Sequence, residues 1–458
     1  MENESLPEKF LQLSEGGDAD GLREHLDDQL ITDIAELIDD HPDQAALIIR
    51  NLSIDRATAA FRILDFPRQE EVIHNLPAAD VAELLNGLPA DDRTSFLGEL
   101  PSEAVKELIR LLTPEERKIT LSLLGYPENS VGRIMTPDYL AVRGEWNIRQ
   151  ALDYIREHGR DSETIDVIYV VDERGRLLDD FRIREFLLVS PDTRIQGLMD
   201  DRFVALNAND GQEEAIQVFR MENRVALPVL DNWGVLLGIV TIDDMLWIAN
   251  EEHTEDVQKI GGTSALDEPY LDIPLLKLVR KRAGWLVVLF LGEMLTATAM
   301  GFFESEIARA VVLALFVPLI ISSGGNSGSQ ASTLIIQAMA LGEISIADWW
   351  RVMRREILSG AMLGGVLGVI GFARVLLWNL FLGTYGEHAF LIGLTVGFSL
   401  VGVVLWGTIS GSMLPLALKR LGVDPATSSA PFVATMVDVT GLLIYFSMAY
   451  LFLNGVLL

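Results

Sequence analysis

The sequence predicts a multidomain membrane protein: an all-α helical-repeat N-terminal domain, two α+β modules in tandem, a connecting helix and a five-helix transmembrane domain. Three observations carry that prediction. Charge is divided unevenly, with 57 acidic and 26 basic residues in 1–278, a net of −31, against 9 and 10 in 279–458, a net of +1. The second part holds five apolar stretches, each at or above the roughly 20 residues a helix needs to cross a bilayer. The first part repeats itself, with a short period before residue 130 and a longer one after it.

The helical-repeat domain is assigned to residues 1–130. Prolines 77, 89, 101 and 114 recur at intervals of 12, 12 and 13, each followed by acidic or small polar residues, as in "LPAADVAELL", "LPADDRTSFL" and "LPSEAVKELI". Proline is favoured in a helix's first turn, so each unit is predicted to be a new helix of about two turns. Stacked short helices bury a continuous core. The N-terminal stretch "MENESLPEKF" is acidic and has no apolar run, so it is not expected to be a signal peptide. With no cysteine in the chain, disulfides and thiolate metal sites are excluded.

Residues 131–192 and 193–250 form the longer repeat. "RIMTPDYLAV" is echoed by "GLMDDRFVAL", and "VIYVVDERGRLL" by "ALPVLDNWGVLLGIV". Each copy reads as a helical stretch, a β-rich hairpin and another helix. The pair resembles tandem CBS modules, a fold that often binds adenine nucleotides. The second copy ends "GIVTIDD", with Asp244 at the family's ribose-binding position, and Arg184 and Glu185 of the first copy complete the expected contacts. The first copy departs from the pattern, with Asp179 and Asp180 where a glycine is common, Arg182 for Ser or Thr and Glu185 for Asp. ATP binding and a purely structural pair both remain open at this point.

Residues 251–283 connect to the membrane. They open "EEHTEDVQKI", where Glu251 and Glu255, and Glu252 and Asp256, stand four apart. On a helix these like-charged pairs repel by a few tenths of a kcal/mol each. With Asp243 and Asp244 upstream, the cluster is either a solvated face or a divalent-cation site.

The transmembrane domain is assigned to residues 284–458, with spans near 284–303, 310–340, 357–382, 389–418 and 430–456. Arg280–Arg282, Arg351–Arg355 and Lys419–Arg420 place three basic loops on one side. The positive-inside rule then puts the soluble half in the cytoplasm and the C-terminus outside a plasma (inner) membrane. The second span is predicted to be broken by "SSGGNSGSQAST" (322–333), in which ten of twelve residues are small. Such breaks are tolerated where backbone lines a cavity.

Asp438 is the sole charged residue after Asp424. A carboxylate at the centre of a membrane helix costs about 2.5–3.5 kcal/mol on insertion scales. Ala434 and Gly441 share its helical face and leave room beside it. Three readings compete: a cation-lined pore, small-residue helix packing, and an ion pair with Arg374 of the third span. Glu293 is also intramembrane, and a pairing with Arg374 is its simplest expectation. The six histidines all fall outside the spans, so oxygen ligands remain, favouring Mg²⁺, Ca²⁺ or Mn²⁺. One Asp per chain is thin for a divalent ion, which predicts a homodimer with two at a shared axis.

With "GGNSGSQASTLI" (324–335), "RLGVDPA" (420–426) and "VATMVDVTGLLIYFS" (433–447), the chain resembles the MgtE family of Mg²⁺ channels over nearly its whole length. The resemblance implies a homodimeric, Mg²⁺-selective channel in the lipid bilayer whose pore carboxylate matches Asp438. It also implies cytosolic Mg²⁺ sites that hold the channel shut, with Glu213, Asp244, Glu252 and Glu255 as regulatory ligands and Asp92 a looser match. Trp247 and Asn223 stand where acids are expected, and Ala430 where an Asn lines the pore mouth. The alternative is a secondary divalent-cation transporter coupled to Na⁺ or H⁺. No enzymatic activity and no nucleic-acid partner are expected. An aspartyl protease would need a second carboxylate motif, and only Glu293 is at hand.

Overall fold

The computed structural model describes residues 6–16, 18–266, 270–271 and 273–457. They form two compact units, Met1–Asn250 and Glu251–Leu458. The first residues of the acidic N-terminal stretch, and 267–269 and 272 of the connecting segment, lie outside the described residues.

The first unit begins with ten helices: α1 (Leu6–Gly16), α2 (Ala19–Asp27), α3 (Ile31–Asp40), α4 (Ala45–Arg50), α5 (Ile54–Arg62), α6 (Phe66–Asn75), α7 (Ala78–Gly87), α8 (Ala90–Glu99), α9 (Ser102–Leu108) and α10 (Pro114–Leu124). From α3 to α8 each helix packs on the one two places along, so alternate helices make two stacked rows. One apolar core, from Phe10 through Ile34, Phe61 and Leu85 to Leu112, runs between them. The prolines punctuate the repeat one position earlier than expected. Pro77, Pro89 and Pro101 are N-caps with extended ψ of 143–153°, and of the four only Pro114 starts its helix. An extended proline turns the chain before the helix begins, which leaves room for ten residues in α7 and α8, nearer three turns than two.

Ion pairs tie helices three apart. Arg50 meets Asp80 at 2.7 Å, Arg62 meets Asp92 at 2.5 Å, Arg56 meets Asp27 at 3.6 Å and Arg68 meets Asp39 at 3.5 Å. In the first two pairs a basic residue in a last turn faces an acidic residue in a first turn, so each charge also complements its helix dipole. Arg93 is fully buried. It donates to Thr120 and to the carbonyls of Leu85 and Leu88 at the end of α7, and pairs with Glu116, closing carbonyls the helix leaves unmade.

Two α+β copies follow. The first is β1 (Ala141–Val142), α11 (Ile148–His158), β2 (Val167–Val171), β3 (Leu177–Arg182) and α12 (Ile183–Leu188). The second is β4 (Leu206–Asn207), α13 (Gln212–Glu222), β5 (Ala226–Leu230), β6 (Leu236–Thr241) and α14 (Ile242–Ile260). In each, a short first strand runs parallel to the second and the second antiparallel to the third, with the register shift at the same place, Val170/Val171 and Val229/Leu230. The predicted helix–hairpin–helix order holds, and the short leading strands are additions to it. The two hairpin turns meet reciprocally: Leu177 N donates to Gly234 O, and Leu236 N to Gly175 O, both 3.0 Å. Gly175 and Gly234 are left-handed, at φ 78° and 79°, which only glycine adopts at no cost. The helical domain docks here, because Ala90 at the start of α8 shares a core with Leu123, Val131, Leu206, Ala215 and Leu227.

The second unit contains the last turns of α14, from Glu251, then α15 (Leu275–Phe302), the short α16 (Glu304–Arg309), α17 (Val317–Ala340), α18 (Trp349–Leu382), α19 (Ala389–Arg420) and α20 (Ala430–Leu453). Five helical segments among the described residues are long and apolar enough to cross a membrane. The protein is therefore a multi-pass membrane protein. Helix α19 is the hub, packing against α17, α18 and α20, whereas α15 packs on α20 and is otherwise uncovered.

Three expectations are corrected. The segment 322–333 does not break its span, since α17 runs unbroken through it. Its glycines serve close helix packing instead: a Cβ at Gly328 would stand 2.9 Å from Val433 Cγ1 and 3.0 Å from Gly407 O. Helix α15 begins at Leu275, ahead of the span expected from 284, and α18 at Trp349, ahead of 357, so the flanking basic residues extend the helices instead of forming loops. Arg374 pairs with neither Asp438 nor Glu293 among the described residues. Its guanidinium stacks 4.4 Å over Trp378.

Candidate functional site

Carboxylates gather where α8 meets the CBS-like pair. Asp91 and Asp92 occupy the first turn of α8, a position the helix dipole favours for acids. Asp243 and Asp244 occupy the first turn of α14, and Glu163 lies in the loop after α11, its amide bonded to Asp138 O at 2.7 Å. Asp244 accepts a hydrogen bond from Thr241 at 2.5 Å, and its carboxyl and that of Asp91 are within hydrogen-bonding reach. Burial pushes Asp92 up to about 7, against the pull of Arg62, with Asp244 and Glu163 adding to the rise. Burial and then Asp92 raise Asp91 well above the carboxylate range, and burial raises Asp244 and Glu163. Asp91 is 6% exposed, and its Oδ1 has no hydrogen-bond partner. These are carboxyls brought together at a cost, which marks the cluster as a candidate functional site.

Among the described residues no three His, Asp or Glu side chains converge as a ready-made chelate. Magnesium does not require one, since it keeps several waters and uses one or two carboxylates. An all-oxygen donor set with an orphaned buried Oδ1 fits such a hydrated ion.

Of the residues named from sequence, Asp92, Asp243 and Asp244 come together here. Glu213 is exposed in the first turn of α13. Asp91, Glu163 and Arg62 belong to the cluster and were missed. The doubled acid of "PADDR" was the signal for Asp91. Arg184 and Glu185 stand exposed on α12, and the Glu185 carboxylate accepts from Arg182 N at 3.2 Å. Asp180 of the same copy pairs with Arg224, both side chains largely buried, and the hydroxyl of Tyr169 is buried. Asp244 itself is committed to Thr241 and the acidic cluster. Asn223 adopts φ 49° at the end of α13, a left-handed cap that suits Asn.

In the second unit, Glu252, Glu255 and Asp256 share the end of α14. Lys259 Nζ lies 2.5 Å from Glu255 and 2.7 Å from Asp424, the latter in the loop before α20. Burial and then Asp424 push Asp256 up to about 6. Close by, Gly262 (φ 77°) abuts Trp285 and Pro431, and Trp285 Nε1 donates to Ser429 Oγ, the N-cap of α20, at 2.9 Å.

Within the membrane helices, Asp438 and Ala434 lie on the face of α20 turned to Gly325: a Cβ there would be 3.4 Å from Ala434 Cβ and 3.6 Å from Asp438 Oδ1. Glu293 of α15 is in electrostatic range of Asp438, since Gly292 brings α15 against Thr435. The small face of α17 is buried, while Ser322, Asn326, Gln330 and Gln337 are exposed. Their spacing of four, four and seven residues makes a polar stripe on one side of an apolar helix. Ser329 Oγ donates to Ala430 O at 2.9 Å.

Comparison with known proteins agrees domain by domain. Residues 317–448 match the MgtE family, described as a divalent cation transporter, 30–129 match the MgtE intracellular N domain, and 131–192 and 195–250 match CBS domains. The chain is 39% identical over 346 residues to the magnesium transporter MgtE of Thermus thermophilus, covering 76% of this chain and 75% of that one. It is 30% identical over 340 residues to the magnesium transporter MgtE of Enterococcus faecalis, covering 74% and 73%. A solved structure titled as the cytosolic domain of the Mg²⁺ channel MgtE in complex with ATP superposes with a TM-score of 0.51 at 31% identity, over 53% of this chain and 99% of that one. An acidic helical domain on a CBS pair, five membrane helices and matches along most of the length leave one assignment: this chain belongs to the MgtE family.

Proposed function

We propose that the protein conducts Mg²⁺ into the cell through a channel that Mg²⁺ itself closes from the cytosolic side. The observation that carries this reading is Asp438 turned to the small residues Gly325 and Ala434, with Glu293 within electrostatic range of it. Two carboxylates in one membrane-embedded neighbourhood are costly without a cation, and the room beside them suits an ion that keeps its waters. The polar stripe of α17 supports the same reading, because a polar face cannot rest against lipid tails. The relatives, named as magnesium transporters, supply the choice of ion.

Gating follows from the acidic cluster. A divalent cation near Asp92, Asp243 and Asp244 would favour the arrangement in which the helical domain is docked on the CBS pair, a shift of population toward the state the ligand prefers. At low Mg²⁺ the carboxylates repel and the docking loosens. Glu252 and Glu255 would act likewise on the connecting helix, and Glu213 as a further ligand from α13.

A homodimer is part of the proposal. Leu187 and Leu188 on α12, Met221 on α13, and Leu246 and Trp247 on α14 are large apolar residues left exposed, as is most of α15, and apolar surface of this kind marks an interaction face. The basic flanks support a cytoplasmic soluble half and a C-terminus outside. ATP is proposed at the CBS pair through Arg184 and Glu185, by likeness to the relative's ATP complex, with Asp244 left to the acidic cluster.

The test is Mg²⁺ flux into proteoliposomes with no Na⁺ or H⁺ gradient, comparing wild type with Asp438→Asn. The channel reading expects conduction by wild type and its loss in the variant. Flux that requires either gradient would establish coupled transport instead.

A further inference from the structure

The acidic cluster contains one side chain of opposite sign. Arg62 ends α5 and its Nε lies 2.5 Å from Asp92 Oδ2. The acids acting on it are Asp92, Glu163, Asp91 and Asp244, in that order. They come from α8, from the first CBS copy and from the second, so one guanidinium paired with Asp92 lies within electrostatic range of acids from all three components of the docked unit.

Membership of the arginine ladder does not account for this. Arg50 makes the equivalent contact to Asp80 with its side chain 53% exposed, whereas that of Arg62 is 29% exposed. Of the other acids, Glu163 and Asp244 belong to the CBS copies, and the ladder has no use for them.

We propose that Arg62 is a resident counter-cation of this cluster, holding the helical domain on the CBS pair when divalent cations are scarce. The proposal rests on the cluster being a divalent-cation site. Four or five neighbouring carboxylates repel, and a fixed positive charge is the cheapest relief that needs no ligand. Because guanidinium stays charged at every accessible pH, the relief is permanent. It also repels an incoming ion and occupies Asp92. The buried Oδ1 of Asp91, which has no hydrogen-bond partner, is then open to the ion or one of its waters. Arg62 thus keeps the docked state partly populated without metal and narrows the difference that Mg²⁺ makes.

The experiment is limited chymotrypsin digestion of the full-length protein in detergent, following release of the helical domain in EDTA and at saturating Mg²⁺. Wild type is compared with Arg62→Gln, Arg62→Lys and Arg50→Gln, the last removing a ladder pair remote from the cluster. In EDTA, Arg62→Gln is expected to be cut at least about threefold faster than wild type, with Arg62→Lys and Arg50→Gln close to wild type. Saturating Mg²⁺ should bring all four to a common slow rate. Equal rates for Arg62→Gln and Arg50→Gln in EDTA would overturn the proposal. Wild-type cleavage indifferent to Mg²⁺, with Arg62→Gln still faster in EDTA, would overturn the divalent-site reading and leave the counter-cation standing.

Discussion

Lys259 Nζ lies 2.7 Å from Asp424 Oδ2, joining the end of the connecting helix to the loop that leads into α20, the helix of Asp438. The same ammonium holds Glu255, and the two carboxylates raise its pKa although burial works against it. A change in α14 therefore has a direct path to the N-cap of the helix that carries the intramembrane carboxylate. Removing the ammonium leaves Glu255, Asp256 and Asp424 facing one another. Lys259→Gln is expected to lower the thermal midpoint of the purified protein in EDTA by about 2–4 °C, with most of the loss recovered in Mg²⁺. An unchanged midpoint would show the pair to be incidental.

The close approach of α17 to α19 and α20 makes a second expectation. Gly328→Ala would put a Cβ 2.9 Å from Val433 and 3.0 Å from the carbonyl of Gly407, and a backbone carbonyl cannot swing away as a side chain can. Overpacking of this kind costs about 1–3 kcal/mol. Gly365→Ala, where a Cβ meets nothing within 4 Å, is the control. Detergent-solubilised yield and midpoint should fall for the first and hold for the second.

How far the sequence reached is instructive in these same helices. Five spans, the domain order and Asp438 could be read from hydropathy, repeats and one misplaced charge, because burial of an apolar surface and the cost of an intramembrane carboxylate are local properties. The polar, glycine-rich segment 322–333 looked like a break for the same local reason. Its glycines answer to Val433 and Gly407 on other helices, and composition carries no record of a tertiary contact. Arg62 escaped notice on that account too. Its partner Asp92 is 30 residues away, and Glu163 and Asp244 are brought in only by docking. Asp244 was assigned to both nucleotide and metal, and its hydrogen bond to Thr241 and its proximity to Asp91 favour the latter.

That preference separates the two roles experimentally. Asp244→Asn keeps size and a hydrogen-bonding group but removes a charge from the acidic cluster. Mg²⁺ protection of the helical domain should weaken, while ATP affinity by calorimetry should stay within about twofold. Arg184→Ala is expected to do the reverse, weakening ATP by roughly tenfold and sparing Mg²⁺ protection. The opposite pattern would return Asp244 to the nucleotide site.

The dimer can be tested without removing any native thiol, because the chain has no cysteine. Leu188 is 84% exposed at the end of α12, next to Leu187 and in the same CBS copy as the first hairpin. If α12 faces its counterpart across a two-fold axis, the same residue of both chains must approach that axis, since an isologous interface uses one patch twice. Leu188→Cys is then expected to give a disulfide-linked band at twice the chain mass under mild oxidation in native membranes. Cysteine at Leu121, exposed on α10 of the helical domain, should give little. Trp247→Glu, which charges the apolar face of α14, should reduce the Leu188→Cys cross-link. Cross-linking of Leu121→Cys as efficient as that of Leu188→Cys would mean random collision, and the exposed apolar residues of α12 and α14 would then need another partner.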